Sequence, residues 1–298
     1  MSLSLESKNA LGMSMIGFGT YQMTPEQAEA SVASALKAGF RHIDSAAGYN
    51  NEVGTGKALQ ACGIPRNELF ITTKVFPGYA GWGMDEKGYD ETLQACKQSL
   101  QELQLDHVDL YLIHMPTAKR VEQYKALVEL KKMGLTKHIG VSNFSPKHIQ
   151  ELVDAGLPVP EVNQVEFHPI CAQAELDPYM KEKGIVPVAY SSLATLPTWR
   201  TQEGQGGDKT AHLKVECQKV SKAIAEKLGV SEAQVLLRWG LQRGYAVLTK
   251  STTPERIAQN LDVFGFELSA EDMDQLNAQD KDAHVAWTAV GLNPQALE

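Results

Sequence analysis

Residues 40–52 read FRHIDSAAGYNNE, and their reading decides the fold. A short run with a β-branched centre, residues 40–43, ends in the acid Asp44, passes two small alanines and a glycine, and reaches the phenol Tyr49. β-Branched and aromatic residues bounded by turn formers indicate a strand, so the acid and the phenol fall at one end of it. Two further apolar runs end in the same manner: LFITT (69–73) gives out at Lys74, and VDLYLI (108–113) gives out at His114. In a closed parallel barrel every strand C-terminus opens on one face, where catalytic groups collect. Four ionisable groups far apart in sequence are thereby expected to meet.

Outward from that stretch, helix and strand alternate. Ahead of it, Thr24, Pro25 and Glu26 form an N-cap and helix start, and Ala28, Val32, Ala35 and Leu36 recur at helical spacing until Gly39. Extended segments are expected at 40–43, 69–73, 108–113, 137–141, 161–167, 185–190, 245–249 and, less regular, 263–268. Helices are expected at 51–61, 89–103, 121–133, 146–155, 176–183, 213–228, 231–242 and 254–260. Strands buried under crossover helices are rich in Val and Ile with little alternation, as most of these are. The expectation is α/β: a single (β/α)8 TIM barrel, one domain over residues 1–298, preceded by an N-terminal β-hairpin that ends in GFGT near Thr20. Two connections are too long for plain turns, 77–88 with Trp82 and 194–210 with EGQGGDK. Both follow strands and are candidate lids of the functional face. The tail beyond Asp282 carries Trp287 and few other anchors, and is expected either to cover the same mouth or to be loose.

Composition narrows the function classes. An apolar fraction of 43% and a charged fraction of 21% are those of a folded globular chain. A net charge of -8 and a pI near 5.6 argue against a nucleic-acid partner, while leaving room for a local basic pocket. The four cysteines, Cys62, Cys96, Cys171 and Cys217, lack zinc or redox spacing, so free thiols and no metal are expected. Charges at Glu6 and Lys8 break any signal-peptide core, and no run approaches the roughly 20 apolar residues of a membrane span, so a cytoplasmic protein is expected. Gly17-Phe-Gly19 does not extend to a dinucleotide fingerprint, because position 22 is Gln. Gly54-Thr-Gly56-Lys57 fails as a phosphate loop, with Asn51 in place of the first glycine and Ala58 in place of the hydroxyl residue.

The strand-end residues suit proton transfer to a carbonyl. A phenol is neutral at pH 7, and an adjacent ammonium stabilises its phenolate; a shift of about two pKa units corresponds to roughly 2.7 kcal/mol. Asp44 would hold Lys74 charged, and His114 could orient a carbonyl oxygen. Such a set supplies no hydride, so a redox cofactor is required on the same face. Ser142, Asn143 and Gln164 at later strand ends offer groups for a carboxamide, and Tyr190 offers a ring for stacking. Lys250, Ser251, Thr252 and Thr253, followed by Arg256 and Asn260, read as a phosphate pocket after the seventh expected strand, which favours NADPH over NADH.

Beyond these arguments, the chain resembles the aldo-keto reductase superfamily from roughly Gly17 to Leu268, through FRHIDSAAGYNNE, LDHVDLYLIHMP, IGVSNF, VNQVEFHP and KSTTPERIAQN in that order. The resemblance implies an NADP(H)-dependent reductase of aldehydes or ketones with Asp44, Tyr49, Lys74 and His114 as catalytic tetrad and Tyr49 as general acid. It implies cofactor contacts from Thr20, Asp44, Ser142, Asn143, Gln164, Tyr190, Ser191, Leu193, Lys250, Ser251, Thr252, Thr253, Arg256, Gln259 and Asn260. Departures from the family pattern fall on the substrate pocket, where Tyr21, Phe76 and Met115 occupy positions often held by tryptophan. Ser192 and Ala194 replace the usual proline and glycine after Tyr190, and Gln259 stands where an acid is common. The expected partner is a small carbonyl compound, with no nucleic acid and no membrane, and the chain is expected to be a monomer, with a dimer as the alternative. The competing reading is a non-catalytic NADP(H)-binding or structural protein on the same scaffold.

Overall fold

The computed structural model of the protein describes residues 3–200 and 208–298. Eight parallel strands close into a barrel in chain order: β1 (Ile16–Gly19), β2 (His42–Asp44), β3 (Phe70–Val75), β4 (Val108–Ile113), β5 (Thr136–Ser142), β6 (Val162–Glu166), β7 (Val186–Tyr190) and β8 (Ala246–Thr249). Closure is made by β1, which pairs with β2 through Gly19↔Asp44 and with β8 through Phe18↔Thr249. Around the barrel lie α1 (Pro25–Ala38), α2 (Glu52–Ala61), α3 (Tyr89–Leu103), α4 (Arg120–Lys132), α5 (Pro146–Asp154), α6 (Leu176–Lys183), α7 (Ala211–Leu228), α8 (Glu232–Gln242), α9 (Pro254–Leu261) and α10 (Ala270–Asn277). Core side chains such as Ile43, Ile71, Leu112 and Val141 are fully buried, each stabilising the fold by about 1.5–3 kcal/mol. No helix among the described residues is long and apolar enough to cross a membrane.

The number of strands matches the expectation, but one of them is a different segment. The GFG read as part of a hairpin is barrel strand β1, and residues 263–268 form no strand. Its glycines imitate a turn for a packing reason: a Cβ on Gly17 would lie 2.6 Å from the His42 ring and 2.7 Å from Leu248. The crowding comes from β2 and β8, so only glycine passes between them. What remains of the hairpin is an isolated antiparallel bridge, Lys8↔Ser14. With β1 closing the ring there is no free edge for residues 263–268, whose backbone is held instead by α8 side chains. Arg238 Nη1 donates to Val263 O at 3.3 Å and Gln242 Nε2 to Leu268 O at 3.0 Å.

The rejected phosphate-loop glycines have a structural reason of the same kind. A Cβ on Gly54 would sit 1.9 Å from the Pro25 carbonyl, and one on Gly56 would sit 2.6 Å from Glu102 O. They let α2 approach α1 and α3. Helix α10 was not expected; its signal is the Ser269 capping box, in which Ser269 Oγ accepts from Asp272 N at 3.2 Å. Of the long connection 194–210, residues 201–207, with most of EGQGGDK, lie outside the described residues.

Candidate active site

The deepest element is an ion pair. Asp44 closes β2 and Lys74 is the penultimate residue of β3, both buried. Lys74 Nζ lies 2.5 Å from Asp44 Oδ1 and donates to Ser45 O at 2.8 Å, while Gln164 Nε2 donates to Asp44 Oδ2 at 2.8 Å. Burial lowers the Lys74 pKa, and Asp44 works against that shift. The loop that leaves β2 is fixed by Asn51, whose Nδ2 donates to Thr20 O at 2.8 Å and to Met23 O at 3.0 Å. Glu52 turns away from the mouth, accepting from Thr73 Oγ1 at 2.6 Å and Ser99 Oγ at 2.8 Å.

Between these anchors a single 3-10 turn, Ala47–Tyr49, lifts Tyr49 over the barrel end, and Asn50 leaves it with φ 55°. The Tyr49 hydroxyl lies 3.5 Å from His114 Nε2, and the ring centroid is 5.3 Å from Lys74 Nζ. His114 follows β4, with its N–H donating to Val75 O at 3.1 Å. Burial, reinforced by Lys74, pushes its pKa down to about 3, so the imidazole is neutral.

Burial raises the Tyr49 pKa well above the usual phenol value, with Asp44 and Tyr21 adding to the shift and Arg200 opposing it. The expected lowering by Lys74 is therefore not found. No hydrogen bond joins Lys74 to the phenol among the described residues; its bonds go to Asp44 and Ser45. Desolvation of the phenolate outweighs a cation already committed to a carboxylate. The resting pair is a neutral phenol facing a neutral imidazole.

A second set of polar groups runs across the mouth from this pair. Asn143, at φ 64°, donates through Nδ2 to His114 O and to Ser142 Oγ, both at 3.0 Å, and accepts from Tyr190 Oη at 2.6 Å. Ser142 Oγ donates to Gln164 O at 2.8 Å. Through Gln164 this network reaches Asp44. Asn163 does not share in it, because its amide is taken up by the backbone of Phe144. Thr20 is fully buried against Ser45 and Asn51, 3.1 Å from Ser45 Oγ, and so offers no surface. Ser191, at φ 53°, and Leu193 are half-buried on the same lip.

At the open end of β8, Lys250 and Arg256 are exposed, and among the described residues neither has an acidic partner. In a chain of charge -8, two unpaired cations beside a helix start fit a phosphate. Ser251 Oγ accepts from Thr253 N at 3.1 Å and shapes this loop; Thr252 and Gln259 are exposed. Asn260 is buried, its Nδ2 donating to Thr249 Oγ1 at 2.7 Å, so it braces the pocket from below. The set of amides, the Tyr190 ring and the free cations together fit a nicotinamide dinucleotide bearing an additional phosphate.

The rim is aromatic. The exposed ring of Tyr21 stands 5.0 Å from that of Tyr49, and Phe76 stands 6.5 Å from His114. Met115, by contrast, is fully buried and contributes no surface to the pocket, since the chain turns inward directly after His114. The connection 77–88 and the tail converge here. Trp82 stacks at 6.3 Å on Phe76 and at 6.5 Å on Trp287 of the tail, and Trp287 is 6.4 Å from the His114 ring. Trp287 Nε1 donates to Tyr190 Oη at 2.9 Å. Arg200 donates to Ala286 O and lies over Tyr21 at 5.6 Å. Trp287 and Arg200 were not among the expected site residues; the sequence signal was a lone tryptophan in a poorly anchored tail.

A (β/α)8 barrel carrying an acid, an amine, a phenol and an imidazole at its C-terminal mouth defines a class of oxidoreductase scaffold, and the comparisons name it. The Aldo/keto reductase family model matches residues 10–281, and the chain belongs to this family. It is 43% identical over 291 residues to a glyoxal reductase of Bacillus subtilis, covering 97% of this chain and 95% of that one. Among solved structures it is similar to a Bombyx mori aldo-keto reductase in complex with NADP, with TM-score 0.80, 29% identity and 95% of each chain covered. It is also similar to a variant of Gox0644 in complex with NADPH, with TM-score 0.79, 37% identity, 96% of this chain and 95% of that one.

Proposed function

We propose that the protein is an NADPH-dependent reductase of aldehydes and ketones in which Tyr49 delivers the proton. One observation carries the reading: the Tyr49 hydroxyl and His114 Nε2 stand 3.5 Å apart over a buried Lys74–Asp44 pair at the mouth of the barrel. A carbonyl oxygen within reach of both would be oriented by the neutral imidazole and protonated by the neutral phenol. As the phenol gives up its proton, the Lys74 charge near its ring stabilises the phenolate, and Asp44 keeps that charge in place. In alcohol oxidation the same groups run in reverse.

The bound NADPH would supply hydride. Ser142, Asn143, Gln164 and Tyr190 would hold its nicotinamide end, and Lys250, Ser251 and Arg256 its additional phosphate. Trp82 and Trp287 narrow the opening and exclude water from the reacting atoms. A Bacillus subtilis relative named glyoxal reductase supports small aldehydes, α-dicarbonyls included, as the substrate class. The protein would act on a free small molecule in the cytoplasm, as a single domain and a monomer.

The test is NADPH consumption with 4-nitrobenzaldehyde and with glyoxal. Turnover of either supports the assignment. Tight NADPH binding with no turnover of any aldehyde or ketone would identify a binding protein on this scaffold instead.

A further inference from the structure

Away from the tetrad, the tail is laid against the loop that follows β6. Ala283 N donates to Ile170 O at 2.9 Å, and Ala172 N donates to Asp280 Oδ1 at 3.1 Å. Val285 N and Ala286 N donate to Glu166 Oε1 at 2.7 and 2.9 Å. This pairing brings three side chains of metal-ligating type together: Cys171, buried, from the loop, and Asp282 and His284, exposed and half-buried, from the tail, with one donor atom of each within 4.8 Å of the others.

The spacing is that of a coordination shell. Cys171 Sγ lies 3.6 Å from His284 Nδ1 and 3.9 Å from Nε2, and Nε2 is 3.5 Å from Asp282 Oδ1. Ligand bonds of about 2.0–2.3 Å arranged tetrahedrally leave edges of roughly 3.3–3.8 Å between donor atoms, so only small adjustments would be needed. On the Nδ1 side of the ring, Glu166 Oε2 lies 3.8 Å away; this carboxylate is buried, and that oxygen has no hydrogen-bond partner. A carboxylate behind a histidine ligand fixes its ring and tautomer, and an otherwise orphaned buried oxygen gains a donor.

We propose that Cys171, Asp282 and His284 bind a divalent ion of the zinc class, with Glu166 orienting His284. A thiolate, an imidazole and a carboxylate suit zinc better than magnesium or calcium, and the fourth position is left to water. Binding replaces the thiol proton of Cys171 with a sulfur–metal bond and releases that proton. No oxidation or reduction is involved. Because two ligands belong to the tail, the ion would fasten the tail to the barrel two residues before Ala286 and three before Trp287, which faces His114 and Tyr190.

The probe is cobalt(II) added alone to the metal-free full-length protein. One equivalent should produce a thiolate-to-cobalt charge-transfer band that zinc(II) bleaches. The band should vanish in Cys171→Ser and His284→Ala and persist in Cys62→Ser, the control thiol elsewhere on the chain. His284→Ala changes a half-buried residue, so it reports even where Cys171→Ser folds poorly. A zinc-dependent slowing of hydrogen exchange at Val285 and Ala286 in the wild type would show the tail fastened. No charge-transfer band, or a band unaffected by His284→Ala, would overturn the site. Neither result bears on aldehyde reduction, which is read separately.

Discussion

Tyr49 and His114 face each other as neutral groups, phenol oxygen to Nε2 at 3.5 Å, while the Lys74 cation is held by a carboxylate beneath them. The arrangement stores a proton on Tyr49 at neutral pH and positions it next to a group that can hydrogen-bond the same acceptor. On the proposed reading Tyr49 is the proton donor, and stabilisation of the phenolate is needed only once the proton has moved.

Tyr49→Phe removes that proton and little else, since the ring contacts with Tyr21 and His114 survive. Losing a positioned general acid costs roughly 10²–10⁴ in rate. The expected result is a fall in kcat of that size with NADPH affinity unchanged, measured by steady-state kinetics and fluorescence titration. Near-normal turnover would remove Tyr49 from its role.

Asp44→Asn leaves Lys74 buried without its counter-charge. Breaking a buried pair in this way costs about 3–5 kcal/mol, far more than a surface pair. Urea unfolding should show a loss of that order. A change below 1 kcal/mol, on the order of a surface pair, would mean that the Ser45 carbonyl and the substituted amide suffice to hold the ammonium.

Arg256→Ala should weaken NADPH binding much more than NADH binding, because only NADPH carries the additional phosphate. A hydrogen bond to a charged group contributes about 1.5–3 kcal/mol, which corresponds to roughly a tenfold to hundredfold change in Kd. Equal losses for both cofactors would contradict the phosphate pocket at β8.

Two buried histidines set an acid limit. Burial holds His42 down to about 4 and His114 to about 3, against 6.5 for the free side chain. Below about pH 6.5 the unfolded chain takes up protons that the folded one refuses, so stability falls as pH drops; above it both states are neutral and the contribution vanishes. Each histidine should contribute up to about 1.4 kcal/mol per pH unit below that point. Denaturant unfolding near pH 7 and near pH 5 checks the slope, and His42→Gln should reduce it. A flat profile would show that the imidazoles ionise within the fold.

Residue type and order alone determined much of this protein. Apolar runs that end in Asp44, Lys74 and His114 place those groups at strand ends, because a buried parallel strand needs a near-continuous apolar run and breaks where the barrel opens. The motif order from residue 40 onward identified the superfamily for the same reason: local chemistry and local strand ends are both written in short stretches. Where a residue's meaning depended on distant neighbours, only the tertiary structure decided it. Gly17 looks like a turn until His42 and Leu248 close on it from β2 and β8. Met115 looks like a pocket wall until burial removes it, and of the two readings open for the tail, loose or laid over the mouth, the contacts of Trp287 with Trp82 and Tyr190 select the second. The direction of the Tyr49 shift belongs to the same group, for desolvation depends on everything that surrounds the ring, and the bonds that occupy Lys74 come from residues thirty positions away in the chain.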